Sequence, residues 1–376
     1  MKRWIPITTL LVISVLILTA CPAPTPQVIE VEKPVVVEKK VVETVEVVKE
    51  VPVEKVVKET VEVEKIVEKE VPVEVVVTKP GPEAVLDLIL IQHALCAWDS
   101  FWCTVEAGIR QAADDMNVNV TILGPDEFDL ERVAQLIDQA VAAQPDGIAL
   151  TVTDPDLFRE PIQRALDAGI PVVAYNAGAG PIEDGIAYMT YLGQDEYQGG
   201  YLGGLKLAAE GGTKGVCINH QVGHAGLDKR CKGFIDAMTE KGIPAEVLAI
   251  TNDPAESQTI IDDYYTANPD TDIFLTLGPN GANPFYAFME AAGLGPGDVV
   301  HGTFDLSPEI IARIKDGTTL FGIDQQPFLQ GYGAVQALML KVRYGISPAL
   351  PVTPTGPGFV DASNVGIVEA LAGVYR

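Results

Sequence analysis

The chain has 376 residues, with 52 acidic against 26 basic side chains and a formal net charge of −26. A charge this negative repels phosphate and argues against nucleic acid as a partner. The length exceeds what one core needs and fits two domains of about 150 residues.

The chain begins with Lys2 and Arg3, followed by an apolar run over 4–18. That run is short for a membrane span and suits the core of a signal peptide, here assigned to 1–20. It ends in Leu18-Thr19-Ala20-Cys21, which resembles the lipobox of bacterial lipoproteins. The resemblance implies that Cys21 becomes a lipidated N-terminus, an extracytoplasmic chain held to the cell membrane by the lipid alone. Stable anchoring needs more than one acyl chain, and the lipoprotein modification supplies it. Residues 21–80 form the next segment, the anchor cysteine plus a tract built almost wholly of Val, Glu and Lys. Within 28–79 there are 13 Glu and 9 Lys, so its charge is nearly balanced. The phrase Lys49-Glu50-Val51-Pro52-Val53-Glu54 returns as Lys69-Glu70-Val71-Pro72-Val73-Glu74. Pro34, Pro52 and Pro72 interrupt any helix, no heptad is sustained, and the β-branched content favours extended backbone. The tract reads as a solvated spacer; a β-rich adhesive stalk is the competing reading.

From residue 85 short apolar runs alternate with helix-length amphipathic ones. Strands are expected at 85–92, 118–123, 147–152, 171–175 and 186–192, with helices at 100–116, 131–143 and 155–168 between them. After a helix at 196–210 the rhythm restarts: strands at 215–219, 245–250, 272–277, 299–304 and 319–323, helices at 227–241, 257–267, 284–292, 308–315 and 328–344. This alternation predicts an α/β fold with two doubly wound, Rossmann-like parallel-sheet domains. Residues 81–376 hold 39 acidic and 15 basic side chains, so the acidity belongs to the globular part. In such folds ligands sit at the carboxyl ends of the strands. The loops there hold His93, Trp98, Asp99, Phe101 and Trp102 after the first strand, Asp154 after the third, Asn176 after the fourth and Gln194 after the fifth. In the second half they hold 220–228, Asn280, Asp305 and Gln325. Aromatic faces beside amides and carboxylates suit a polyhydroxylated ligand, whose C–H faces stack while its hydroxyls need donors and acceptors.

The segment 85–344 resembles the ribose-binding-like type I periplasmic binding proteins of ABC importers. The resemblance rests on Asp99-Ser100-Phe101-Trp102, Gly169-Ile170-Pro171-Val172-Val173, Tyr191-Leu192-Gly193-Gln194-Asp195-Glu196, Arg230-Cys231-Lys232-Gly233-Phe234 and Asp324-Gln325-Gln326-Pro327. It implies two hinged lobes that close on a monosaccharide or similar solute, with chain crossings near Gly193, Gln325 and 343–349. The lobes are accordingly placed at 81–192 with 327–346 and at 193–326 with 347–376. It also implies ligand contacts. Asp99 stands where the family often has Asn, Phe101 and Trp102 match its stacking aromatics, Asn280 a strand-end Asn, and Asp305 and Gln325 an acceptor and a hinge residue. Two departures stand out: the family's Asp-Arg pair after strand four is Asn176-Ala177, and a ligand-contacting Arg appears as Asp228. With those cationic donors gone, ribose gives way to another sugar, a polyol or an amine-bearing sugar.

Without Cys21 four cysteines remain, an even number for an exported protein. Their spacing pairs Cys96 with Cys103 and Cys217 with Cys231, while Cys217, His220, His224 and Cys231 offer an alternative zinc set. His93 and His301 read as ordinary packed residues. No G-x-G-x-x-G follows the first strand, and neither a G-x-S-x-G nor a phosphate loop occurs, so no enzyme, cofactor or metal is expected. The resulting expectation is a monomeric, lipid-anchored solute-binding protein serving an ABC permease. A nucleoside or furanose-signal receptor on the same fold, or a stalked surface adhesin, are the alternatives.

Overall fold

The computed structural model describes residues 28–47, 59–78 and 84–376. Residues 1–27, where a signal peptide and the anchor cysteine Cys21 are expected, lie outside the described residues. Two long strands, β1 (Val28–Val47) and β2 (Glu59–Thr78), pair antiparallel from Val28 opposite Thr78 to Val47 opposite Glu59. The spacer reading held the backbone extended but did not pair its two halves. Alternation explains why they can pair. Odd positions of both strands are mostly valine, even positions carry most of the glutamates, and the register puts like positions on one face.

Residues 84–376 contain two six-stranded sheets built on one plan. The first comprises β3 (Leu86–Ile91), β4 (Val118–Leu123), β5 (Gly147–Leu150), β6 (Val172–Tyr175), β7 (Tyr191–Gln194) and β13 (Val352–Gly356), in the order β13-β7-β6-β5-β3-β4. The second comprises β8 (Gly215–Asn219), β9 (Ala245–Ala249), β10 (Ile273–Thr276), β11 (Val300–Phe304), β12 (Phe321–Asp324) and β14 (Gly358–Asp361), in the order β14-β12-β11-β10-β8-β9. All neighbours are parallel except β14, which runs against β12. The inner strands are buried residue after residue, as parallel strands covered on both faces must be.

Helices cover both faces. In the first lobe α1 (Phe101–Met116) and α10 (Pro327–Tyr344) enclose Leu88, Trp102, Val105, Ile109 and Leu338. On its other face α2 (Leu130–Ala142) and α3 (Pro155–Asp167) enclose Ile137, Ile148, Phe158 and Ile162, and the one-turn α4 (Pro181–Asp184) follows β6. In the second lobe α5 (Glu196–Ala208) and α6 (Ala225–Glu240) pack around Leu207, Phe234 and Phe304. Opposite them α7 (Pro254–Ala267), α8 (Pro279–Ala292) and α9 (Pro308–Asp316) bury Phe274, Phe285, Phe288 and Ile310. Several helices start on an aspartate whose carboxylate accepts backbone N–H groups, among them Asp129, Asp154, Asp195 and Asp253.

The chain crosses between lobes three times: between Gln194 and Glu196, between Asp324 and Pro327, and at Pro357 between β13 and β14. The third corrects the sequence expectation. Residues 352–356 belong to the first lobe and not to the second. Their prolines suggested a connection, but an edge strand tolerates Pro354, and Val352 and Thr353 pair with Tyr191 and Leu192. The strand expected at 186–192 is likewise shifted, to Tyr191–Gln194.

Candidate functional site

A small cavity of about 30 Å³ lies between the lobes, at the carboxyl ends of β3 and β6 on one side and of β8, β10, β11 and β12 on the other. The order of each sheet reverses at β3 and at β8, so the cavity sits at the two switch points.

From the first lobe come Asp99, Phe101, Trp102, Asn176 and His93. A disulfide between Cys96 and Cys103 (S–S 2.03 Å) braces the loop before α1, and Cys96 N donates to Glu106 Oε1. Asp99 Oδ1 accepts from Phe101 N at 3.1 Å, and burial pushes the Asp99 carboxyl up to about 6. Trp102 meets His93 and Phe101 edge-on, with ring centroids 4.9 and 5.4 Å apart. Asn176 is held at φ 63°, a left-handed conformation that Asn tolerates.

From the second lobe come His220, Gln221, His224, Arg230 and Asp305, and Gln325 enters from the hinge. A Cys217–Cys231 disulfide (S–S 2.00 Å) ties β8 to α6. With both sulfurs joined, the four-ligand zinc alternative loses its thiolates, and among the described residues no group of three His, Cys, Asp or Glu is disposed around a metal position. Arg230 is paired with a carboxylate: Nε and Nη2 donate to Glu196 at 2.6 and 3.0 Å, and Nη1 donates to Leu277 O at 2.8 Å. Its guanidinium also lies 4.2 Å from the Phe304 ring centroid. Asp305, at φ 65°, accepts from Gln325 Nε2 at 2.6 Å. Burial raises its carboxyl to about 7 against the opposing pull of Arg230. Asn176 Nδ2 donates to Gln325 Oε1 (3.3 Å) and to Gln330 Oε1 (3.1 Å), so an amide chain joins Asn176 of one lobe to Asp305 of the other. His220 and Gln221 are buried, yet His220 Nδ1 and Gln221 Nε2 have no hydrogen-bond partner.

The lobes touch at the cleft. Ala225 N donates to Thr153 O at 3.0 Å, Lys229 pairs with Glu183 at 2.8 Å, and His93 Nε2 meets His224 Nε2 at 3.2 Å. Burial pushes the His93 and His220 imidazoles down to about 3, aided by Arg230, and His224 well below the usual range.

Of the expected contacts, Asp99, Phe101, Trp102, Asn176, Asp305 and Gln325 line this cavity. Five others do not. Asp154 has its carboxylate turned to the N-terminus of α3, where it accepts from Asp156 N and Leu157 N. Trp98 donates its indole N–H to Pro125 O and packs on the first-lobe core. Gln194 is buried in the hinge and donates to Glu196. Asp228 is exposed and accepts from Asn219 Nδ2, because the next inward position on α6 is Arg230. Asn280 sits half-buried in the first turn of α8. Arg230 also corrects the expectation of a cleft without arginine. The residues missed are His93, His220, Gln221, His224 and Arg230. One signal was present for the histidines: His93 follows β3, and His220 and His224 follow β8, the equivalent strand of the second half.

Residues 97–345 match the periplasmic binding protein domain family. The xylose/arabinose-binding protein XylF of Sulfolobus acidocaldarius is 29% identical over 295 residues, 74% of this chain and 71% of its own length. A carbohydrate transporter structure from Acidothermus cellulolyticus 11B, in complex with myo-inositol, is 33% identical with a TM-score of 0.71, covering 77% of this chain and all but 1% of its own. A periplasmic sugar-binding protein structure from Legionella pneumophila is 28% identical with a TM-score of 0.67, covering 72% of this chain and 99% of its own. These proteins bind substrates without transforming them, and the chain, sharing their two-lobed fold and the family match over most of its globular part, belongs to the periplasmic binding protein family.

Proposed function

We propose that the protein is a lipid-anchored solute-binding protein of an ABC importer, closing its lobes on a neutral sugar or cyclic polyol. The observation that carries this reading is the lining of the interlobe cavity. Two buried carboxyls, Asp99 and Asp305, stand beside Trp102 and beside two buried polar atoms without partners, a ring nitrogen of His220 and the amide nitrogen of Gln221. Carboxyl oxygens take hydroxyl donors, an indole face takes ring C–H groups, and unpaired buried polar atoms favour a ligand hydroxyl. The one guanidinium is neutralised by Glu196, which leaves an anionic ligand without a free cation. Xylose, arabinose and myo-inositol, named for the relatives, share this chemistry. Ligand contacts to both lobes stabilise the closed form, and the permease partner then receives it.

A thermal-shift panel of pentoses, hexoses, myo-inositol and nucleosides tests the ligand class, because a molecule that binds the native state raises its Tm. A shift with sugars or inositol is expected; a shift with nucleosides alone replaces the reading by the receptor alternative. For the anchor, the wild-type chain is expected to take up labelled fatty acid and stay with membranes. Cys21→Ala should do neither, and an unlabelled wild type removes the anchor from the reading.

A further inference from the structure

The chain contains four histidines, and three of them line the cleft. His93 of the first lobe and His224 of the second face each other through Nε2 at 3.2 Å. Their other nitrogens decide where the protons are. His224 is the N-cap of α6, and its Nδ1 accepts from Gly226 N (3.0 Å) and Leu227 N (3.3 Å). A neutral imidazole has a single N–H. The His224 proton therefore sits on Nε2 and donates to His93 Nε2. His93 in turn carries its proton on Nδ1, 3.1 Å from Thr151 Oγ1. A second proton breaks this chain at either ring. On His93 it sets N–H against N–H, and on His224 it points N–H at two backbone donors. Phe128 of the first lobe lies near-parallel to the His224 ring, 6.2 Å away between centroids, so His224 is seated among first-lobe rings.

We propose that His93 and His224 form a latch across the cleft that closes only when both rings are neutral, so that acidification loosens the protein's hold on its ligand. The inference rests on the reading that the ligand is held between the lobes.

The surrounding charges fix the sign. Opening the cleft takes His224, His220 and Arg230 away from His93 and returns its ring toward the ordinary value of about 6.5. Closure buries the ring and pushes it down to about 3, with Arg230 and His220 adding to the effect. Above pH 6.5 closure expels no proton from His93; below it each closure must expel one from that ring, and closing weakens as pH falls. Arg230 faces both rings but is paired with Glu196. Asp126, Glu127 and Asp129, on the loop carrying Phe128, are exposed, as is Asp228 on α6, while Lys229 pairs with Glu183. Asp154, beyond Thr153, caps α3. Asp99 and Asp305 face the same cavity with raised carboxyls and pull in the opposite direction. Replacing His93 leaves both in place and isolates the histidine.

The test titrates the full-length wild type, His93→Gln and His224→Asn with xylose, arabinose and myo-inositol at pH 8 and pH 5. Gln offers an amide that does not titrate, and Asn keeps an acceptor for the α6 cap but is too short to reach His93. The ratio of affinity at pH 8 to that at pH 5 should be about 30-fold larger in the wild type than in His93→Gln, the factor for one imidazole of pKa 6.5 deprotonating at pH 5. Equal ratios overturn the latch. If none of the three sugars binds at either pH, the ligand reading fails and small-angle scattering of the unliganded proteins decides the latch separately. A wild type more compact than His224→Asn at pH 8 but matching it at pH 5 supports it; identical profiles at both overturn it.

Discussion

Asp305 holds a buried carboxyl raised to about 7, against an ordinary carboxylate value of about 3.9 in the unfolded chain. Between those values the folded state binds the extra proton, so stability declines as pH rises from about 4 to 7 and then levels. Asn at this position keeps the acceptor for Gln325 and tolerates φ 65°. Asp305→Asn is therefore expected to raise the unliganded Tm at pH 8 by about 5 °C, on the order of 2 kcal/mol, and to leave it unchanged near pH 4. The same variant should weaken sugar binding at least tenfold, because a charge-assisted acceptor is lost. A Tm gain of the same size at both pH values would remove burial of charge as its cause. Glu196→Ala carries the opposite expectation: it strands Arg230 without its partner and should cost about 3–5 kcal/mol in denaturant unfolding. Cavity-lining positions were legible where a residue directly follows a strand, as Asn176 follows β6 and Asp305 follows β11. Asp154 lies in the loop after β5, but its carboxylate has two nearby N–H groups to satisfy, and one chain in one dimension does not reveal which demand wins.

At the scale of elements the tightest constraint is the contact of α5 with α6. A Cβ on Gly200 would stand 1.9 Å from Arg230 O, and one on Gly233 would stand 2.2 Å from Tyr197 O. Both obstacles are backbone, so the helices must separate to admit a methyl group. Gly200→Ala is expected to cost about 1–3 kcal/mol and to displace Arg230 from Glu196. Gly366→Ala, where nothing lies within 4 Å of the added atom, serves as the control and should change stability by less than about 0.5 kcal/mol. Equal losses in the two variants would separate the effect from helix contact. Periodicity placed most strands and helices, because Val172–Tyr175 or Ile273–Thr276 are apolar runs bounded by loops. It missed β13, whose Val352-Thr353-Pro354 looks like a connection until Tyr191 and Leu192 supply the pairing edge. The ribbon of β1 and β2 escaped for a related reason: its alternation is visible in either half, but pairing depends on the other half.

Across the whole globular part the chain crosses between the lobes three times, and under the proposed closing motion the contacts spanning the cleft would hold the lobes together. Lys229 with Glu183 is the exposed member of that set, and its worth depends on salt. Removing such a pair changes little, usually less than 1 kcal/mol, but reversing one charge replaces attraction by repulsion at the same site. Lys229→Glu also deepens the negative charge of a lobe surface that already holds far more acid than base. Opening should be favoured, and because ligand affinity is reduced by the fraction of protein in the competent form, the effect reaches binding without touching the ligand. Calorimetric titration with the sugar identified by the panel is expected to give about 2–5-fold weaker binding for Lys229→Glu at low ionic strength. In about 1 M salt, where the screening length falls to about 3 Å, variant and wild type should converge. A loss that persists at high salt would mean that the substitution acts through packing of α6, and equal affinity at low salt would mean that the pair plays no part in closure.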